Sequence, residues 1–247
     1  MQIKRKRTSF GRKSGLCSES FQKEKLFSQP SERRGRPVPD YAVAALCFTV
    51  MTGLYLLYMA EKYRKDRNKK RELALKGGAT LTAAALAAYG FAVNPTASRG
   101  LLLAGLCVCA AADIVLDLRF LAGTACFALG HFCYCAAYLL AKTPGWGSFA
   151  VFLLLCLAIS FLYPRLKRHA APKSALPYLG YAVLISAMLA LALPQRPLVL
   201  AGALLFVLSD SMLLARIVRK ITSKKYNYLC LGIYFLAQFL IAASAVL

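Results

Sequence analysis

Long apolar runs separated by short polar stretches dominate the pattern of this chain. An α-helix rises 1.5 Å per residue, so about 20 residues cross the roughly 30 Å hydrocarbon core of a bilayer. Eight runs approach that length, at 41–60, 73–93, 100–118, 120–141, 147–163, 175–193, 197–216 and 226–247. Backbone polar groups must find partners inside lipid, so each run predicts a helix. We therefore expect an all-α polytopic transmembrane bundle of about eight helices over residues 41–247.

Composition supports this prediction and sets the first 40 residues apart. Hydrophobic residues make up 59% of the chain and charged residues 17%, which is too apolar for a soluble domain of this length. Residues 1–40 instead hold 11 Lys/Arg and four acidic residues without an apolar run, so we expect a basic, disordered tail. Eight of the nine cysteines fall inside the apolar runs, where they are expected to act as small apolar filler.

The net charge of +22 is distributed unevenly among the loops. The loops after the odd-numbered runs carry 17 basic residues, against Arg99, Lys142 and Arg196 in the others. By the positive-inside rule, the odd-numbered loops face the cytoplasm, which places both termini outside. We expect an integral protein of a bacterial plasma membrane whose positive charge serves orientation and lipid attraction rather than nucleic-acid binding.

Three aspartates, Asp113, Asp117 and Asp210, lie inside predicted membrane helices. Each ionised carboxylate at the bilayer centre costs about 2.5–3.5 kcal/mol, so these groups must be paired, protonated or hydrated together. The polar companions available in other runs lie mostly in the same half of the bilayer. They are Lys76, His131, Tyr134, Ser209, Tyr234 and Gln238. We expect one cavity lined by Asp113, Asp117, His131, Ser209, Asp210 and Gln238.

Asp113 and Asp117 are four residues apart and therefore share one helix face. Like charges so close cannot both ionise freely in a low dielectric, and one protonated carboxyl beside an ionised one suits general acid–base catalysis. The alternative is a buried hydrogen-bond network that only ties helices together.

A short internal repeat accompanies the aspartates. Ala104-Gly105 precedes Asp113 by the same spacing as Ala201-Gly202 precedes Asp210. The two runs are four spans apart, so the sequence suggests a duplicated four-helix unit.

The motifs around these residues resemble the YhhN-like lysoplasmalogenase family of multi-pass membrane proteins. The segments that carry the resemblance are Asp113-Ile-Val-Leu-Asp117, His131-Phe-Cys-Tyr134, Gly202 to Asp210, and Tyr234-Phe-Leu-Ala-Gln238. The resemblance implies hydrolysis of the vinyl-ether bond of lysoplasmalogens, with a lysophospholipid substrate drawn from membrane lipid.

Applied to this chain, the resemblance implies a role for each polar position. Asp113 and Asp210 would form the acid and base pair, tuned by Asp117 and His131, and Lys76 would meet the lipid phosphate. The other companions, Tyr134, Ser209, Tyr234 and Gln238, would contact the substrate. We expect no metal and no cofactor, and the oligomeric state stays open.

Three alternatives to this reaction have different sequence requirements. A zinc hydrolase needs about three ligands around an open site, and the chain has a single histidine within its apolar runs. A serine hydrolase of the usual kind needs a Gly-x-Ser-x-Gly motif, which is absent, and Ser209 adjoins an aspartate rather than a histidine. A proton-coupled transporter or lipid-binding protein is the strongest alternative, because intramembrane carboxylates and repeats are also typical of carriers.

Overall fold

A computed structural model describes residues 39–169 and 175–247 of the chain, with side chains for 39–164 and 176–247. Within these residues every regular element is a helix, and there are eight. They are α1 Asp40–Lys62, α2 Lys69–Val93, α3 Ala97–Leu118, α4 Phe120–Ala141, α5 Trp146–His169, α6 Ala175–Ala192, α7 Pro197–Val218 and α8 Lys224–Ala243. The predicted helical bundle is confirmed. The basic tail lies almost wholly outside the described residues, so its disorder stays a prediction.

Local sequence signals fix where several helices begin. The side chains of Asn68, Thr96 and Ser223 accept hydrogen bonds from backbone N–H groups in the first turns of α2, α3 and α8. These are the short polar side chains that satisfy the free donors at a helix start. Pro197 is the first residue of α7, a position where its missing N–H is not needed. Short capped connections therefore leave neighbouring helices antiparallel.

The two halves of the chain pack in the same order. In the first half α1 packs on α2, α2 on α3 and α3 on α4, and in the second half α5 to α8 repeat that series. Across the halves α2 contacts α8 and α4 contacts α6. These two contacts are equivalent, because α6 takes the place of α2 and α4 takes the place of α8 when the halves are interchanged. This order is compatible with the duplicated four-helix unit suggested by the sequence, and the duplication stays a prediction.

Two glycines of the internal repeat make equivalent close contacts. A Cβ atom on Gly105 of α3 would lie 3.1 Å from the carbonyl oxygen of Gly130 on α4. A Cβ atom on Gly202 of α7 would lie 3.1 Å from the carbonyl oxygen of Ala237 on α8. Each would also meet a side chain, at 2.5 Å from the Tyr134 ring and 2.8 Å from Ile241. Small residues let the backbones of paired membrane helices approach, so both repeat motifs serve helix pairing.

Six of the eight described helices are long and apolar enough to cross a membrane by length and composition. The two others differ for separate reasons. The α2 helix begins with charged residues and buries Lys76 and Thr80 on faces that α1, α3 and α8 contact. The apolar part of α6 covers 17 residues, which is short for a bilayer. Eight complete crossings therefore remain a prediction.

Candidate active site

A cavity of about 360 Å³ lies at the end of the bundle beside the odd-numbered loops. Its polar wall contains Lys76, Asp113, Asp117, Ser209 and Asp210, so residues from α2, α3 and α7 meet there. Most of the apolar part of the wall comes from α5 and α6. Its side chains include Leu155, Ala158, Ile159, Leu179, Ala182 and Ile185. A polar centre against an apolar wall suits an amphiphilic ligand.

Asp113 is 1% exposed and receives three polar side chains. The Thr80 hydroxyl donates to its Oδ2 at 2.5 Å, and the Tyr234 hydroxyl donates to the same oxygen at 2.8 Å. The Lys76 ammonium lies 3.6 Å from its Oδ1. Each of these three neighbours stabilises a negative charge on Asp113.

Lys76 also serves the second aspartate of α3. Its Nζ lies 3.3 Å from Asp117 Oδ1 and donates to the backbone oxygen of Asp113 at 3.1 Å. Lys69, at the start of α2, lies 4.0 Å from Asp117 Oδ2. The sequence predicted that Lys76 would meet a lipid phosphate, but its ammonium is engaged by two carboxylates.

Asp210 has different surroundings in the same cavity. The Tyr181 hydroxyl donates to its Oδ2 at 2.5 Å. Among the side chains that the structure describes, no Lys, Arg or His nitrogen lies within 4.0 Å of the Asp210 carboxyl. Asp210 is only partly buried and lacks the cation that Asp113 has, so the two cavity aspartates differ electrostatically.

Gln238 lies behind the cavity and reaches it through Tyr234. The Tyr134 hydroxyl donates to Gln238 Oε1 at 2.9 Å, and Gln238 Nε2 donates to the Tyr234 hydroxyl at 3.0 Å. With the bond from Tyr234 to Asp113, these side chains form one continuous chain from α4 through α8 to α3. Gln238 and Tyr134 thus orient the Tyr234 hydroxyl. Neither lines the cavity, although the sequence predicted that Gln238 would.

His131 is fully buried and, contrary to expectation, is not part of the cavity wall. Its Nδ1 lies 2.7 Å from the backbone oxygen of Phe127, and its Nε2 has no hydrogen-bond partner among the described residues. The ring packs edge-on against Phe206 and Tyr181, with centroids 4.6 and 5.5 Å away. His131 therefore supports Tyr181, whose hydroxyl holds Asp210.

Ser209 lines the cavity, but its hydroxyl points to the neighbouring helix. It donates to the backbone oxygen of Cys230 at 3.1 Å, which ties α7 to α8. Its geometry suits helix pairing next to Asp210 better than contact with a ligand.

Sequence reasoning missed the direct partners of the two aspartates. Thr80 lies four residues after Lys76 on the same face of α2, a spacing that could have found it. Tyr181 gave no comparable signal, because a tyrosine in an apolar run has many possible neighbours. Lys62 and Arg216, which also line the cavity, are among the 17 basic residues counted with the odd-numbered loops, so the sequence did not suggest them for the site.

Within residues 39–169 and 175–247, no three His, Cys, Asp or Glu side chains converge in a way that could hold a metal ion. The independence from metal therefore stays a prediction, which an assay with a chelator would test. The groups that the cavity offers for chemistry are carboxyls, hydroxyls and an ammonium.

Comparison with known proteins identifies similar chains. A sequence model of the YhhN family matches residues 72–245. The lysoplasmalogenase TMEM86B of Homo sapiens is 33% identical over 132 residues, covering 52% of this chain and 56% of its own length. The same protein of Mus musculus is 33% identical over 134 residues with the same coverage. The chain thus spans about half the length of the curated relatives that it matches. No solved structure matches it.

Proposed function

The chain belongs to the YhhN family, and from this premise we propose that it is a membrane hydrolase acting on the vinyl-ether bond of lysoplasmalogen-type lysophospholipids. The products would be a fatty aldehyde and a glycerophospho head group. The observation that carries the proposal is the pair of cavity aspartates with unlike surroundings, facing an apolar wall. Its similarity to proteins named lysoplasmalogenase supports the same reaction.

Vinyl-ether hydrolysis needs both protonation states of a carboxyl. The first step transfers a proton to the vinyl carbon next to the alkyl chain and leaves an oxocarbenium ion on the ether side. Asp210 is the proposed acid, because no Lys, Arg or His among the described side chains lies close enough to stabilise its ionised form. Asp113 is the proposed base, because Lys76, Thr80 and Tyr234 stabilise its negative charge. An ionised carboxylate beside the developing cation also stabilises the transition state.

The later steps restore both groups. Water attacks the oxocarbenium carbon and gives one proton to Asp113. The product of this addition is a hemiacetal. Asp113 then returns that proton to the departing glycerol oxygen while the hemiacetal hydroxyl gives its proton to Asp210. The carbon–oxygen bond breaks and the aldehyde forms. One water is consumed, and both carboxyls recover their starting states.

The remaining predicted residues take supporting roles in this proposal. Lys76 is the counter-ion that Asp113 and Asp117 share, so Asp117 adjusts how strongly Lys76 holds Asp113. His131 positions Asp210 through Tyr181. The alkenyl chain would lie along the apolar wall formed by α5 and α6.

An assay of the purified chain for aldehyde release tests the proposal. We expect release from an alkenyl lysophospholipid and none from its ester counterpart. Asp113→Asn and Asp210→Asn should each lower turnover about 100-fold or more, following the range of general acid–base catalysis. Asp66→Asn is the matched control, since Asp66 is an exposed loop residue. Near-normal turnover in both cavity variants would show that the carboxylates only form a structural hydrogen-bond network.

A carrier remains the second candidate, because the cavity contains intramembrane carboxyls within a molecule of two similarly packed halves. The two functions separate in proteoliposomes. A carrier moves the intact lysolipid between leaflets, whereas the hydrolase produces aldehyde without that movement.

A further inference from the structure

Two cations in the cavity wall have no carboxylate partner among the described side chains. Lys62, at the end of α1, donates from Nζ to the Tyr58 hydroxyl at 2.7 Å. Arg216, near the end of α7, donates from Nη1 to Asn227 Oδ1. All four side chains line the cavity. Their hydrogen-bond acceptors are neutral, so neither cation forms a direct ion pair with a described carboxylate.

Neighbouring cations at the same end of the bundle are neutralised. Arg67 lies 3.5 Å and Lys69 lies 3.4 Å from the carboxylate oxygens of buried Glu72. Lys76 is paired with Asp113 and Asp117. Lys62 and Arg216 therefore stand out as the cavity cations that an anion can approach without displacing a protein carboxylate.

We infer that Lys62 and Arg216 form the subsite for the phosphate of the substrate's head group, an inference that rests on the proposed function. Phosphate is an anion that a guanidinium binds with paired hydrogen bonds and an ammonium binds as a point charge. Asn227 holds Arg216 by one nitrogen and leaves the rest of its fork available. The subsite takes over the role that the sequence suggested for Lys76.

The spacing along α7 fits such a substrate. Arg216 follows Asp210 by six residues, which is about 9 Å along a helix axis. Five bonds separate the vinyl-ether oxygen of a lysoplasmalogen from its phosphorus, about 6 Å when extended. The long Arg216 side chain can span the difference. A lipid with its phosphate at Arg216 thus places its ether near Asp210, with its alkenyl chain directed toward the apolar wall.

The test compares two substrates in the full chain. One is an alkenyl glycerophosphoethanolamine, and the other is an alkenyl glycerol without phosphate. Lys62→Met and Arg216→Gln should each raise KM for the phosphate-bearing substrate about tenfold or more, the scale of a charge-assisted hydrogen bond. Hydrolysis of alkenyl glycerol should stay within about twofold of the unsubstituted chain, which also shows that each variant is folded. Arg219→Gln is the matched control, because Arg219 is an exposed arginine three residues further along.

The outcomes separate this inference from the proposed function. No aldehyde from either substrate with the unsubstituted chain would reject the hydrolase itself. Normal activity of that chain, with KM unchanged in both cavity variants or raised equally for the two substrates, would reject the phosphate subsite alone. Inorganic phosphate that competes as well as glycerophosphoethanolamine would also overturn the head-group assignment, because it would indicate a general anion site.

Discussion

Asp113 and Asp210 occupy one cavity, yet different neighbours give them different chemistry. Asp113 is surrounded by an ammonium and two hydroxyl donors, while Asp210 has one hydroxyl donor and no described cation. In a low dielectric an unpaired charge raises the free energy, so such neighbours influence which carboxyl keeps its proton. The proposed division of roles therefore depends on Lys76, Thr80 and Tyr181 as much as on the aspartates.

The hydroxyl of Thr80 should matter for turnover beyond its size. Thr80→Val keeps the shape but removes the 2.5 Å bond that fixes Asp113, and kcat is expected to fall about tenfold. Thr82→Val is the control, because the Thr82 hydroxyl donates to Gly78 of its own helix at 3.0 Å. An equal loss in both variants would point to general damage to α2. Aldehyde release and the unfolding free energy in detergent should be measured for both.

The aspartates could be predicted from the sequence, whereas their partners could not. A carboxylate in an apolar run is conspicuous because lipid excludes it, so Asp113 and Asp210 could be predicted from their positions in the sequence. Thr80 and Tyr181 are ordinary membrane residues, and only the packing of α2 on α3 and α6 on α7 reveals their roles. The depth of His131 along its helix predicted that it would lie level with the cavity. Depth does not give the direction of a side chain around the helix axis, and His131 is not part of the cavity wall.

At the scale of helices, α2 is the element whose sequence and position differ most from a simple span. Its charged first turn and buried polar face are stabilised by α3, which supplies both carboxylates that Lys76 contacts. Helix lengths were predictable because bilayer thickness sets them. The interior position of α2 was not, because hydropathy reports whether a helix tolerates lipid and not which helices enclose it.

Removing the Lys76 ammonium should destabilise the pairing of α2 and α3. Lys76→Met leaves two carboxylates without their shared cation, and breaking such a buried pair costs about 3–5 kcal/mol. Asp117→Asn added to that variant should recover part of the loss, because fewer charges then remain unpaired. Lys70→Met, at an exposed position of the same helix, should change the unfolding free energy little. No recovery in the double variant would mean that Asp117 and Lys76 are not coupled.

The close helix contacts at the repeat glycines give a second prediction at this scale. Gly105→Ala and Gly202→Ala each place a methyl group 2.5–2.8 Å from a side-chain atom of the partner helix, so each should cost about 1–3 kcal/mol of unfolding free energy. Gly180→Ala should be neutral or stabilising, because a Cβ there meets nothing within 4 Å and alanine favours a helix. Thermal unfolding of all three variants would measure this. A neutral Gly105→Ala would show that α3 and α4 can separate freely.

At the scale of the whole molecule, the cavity and the positive charge lie at the same end. The cavity wall includes Lys62, Tyr163, Arg216 and Asn227, which are all next to odd-numbered loops. Those loops carry the excess of basic residues. If they face the cytoplasm, the proposed lysolipid substrate would reach the cavity from the inner leaflet, and its anionic head group would be attracted by the same charges that orient the protein.

Reporter fusions test this orientation and the access route together. A reporter placed after Arg219, in the loop between α7 and α8, should read cytoplasmic, because that loop belongs to the basic set. A reporter after Leu247 should read on the opposite side, because α8 intervenes. In sealed vesicles of known orientation, lysolipid confined to the cytoplasmic leaflet should then be hydrolysed before lysolipid in the other leaflet. A cytoplasmic signal at Leu247 would place Lys62 and Arg216 at the outer face, and substrate would have to come from the outer leaflet instead.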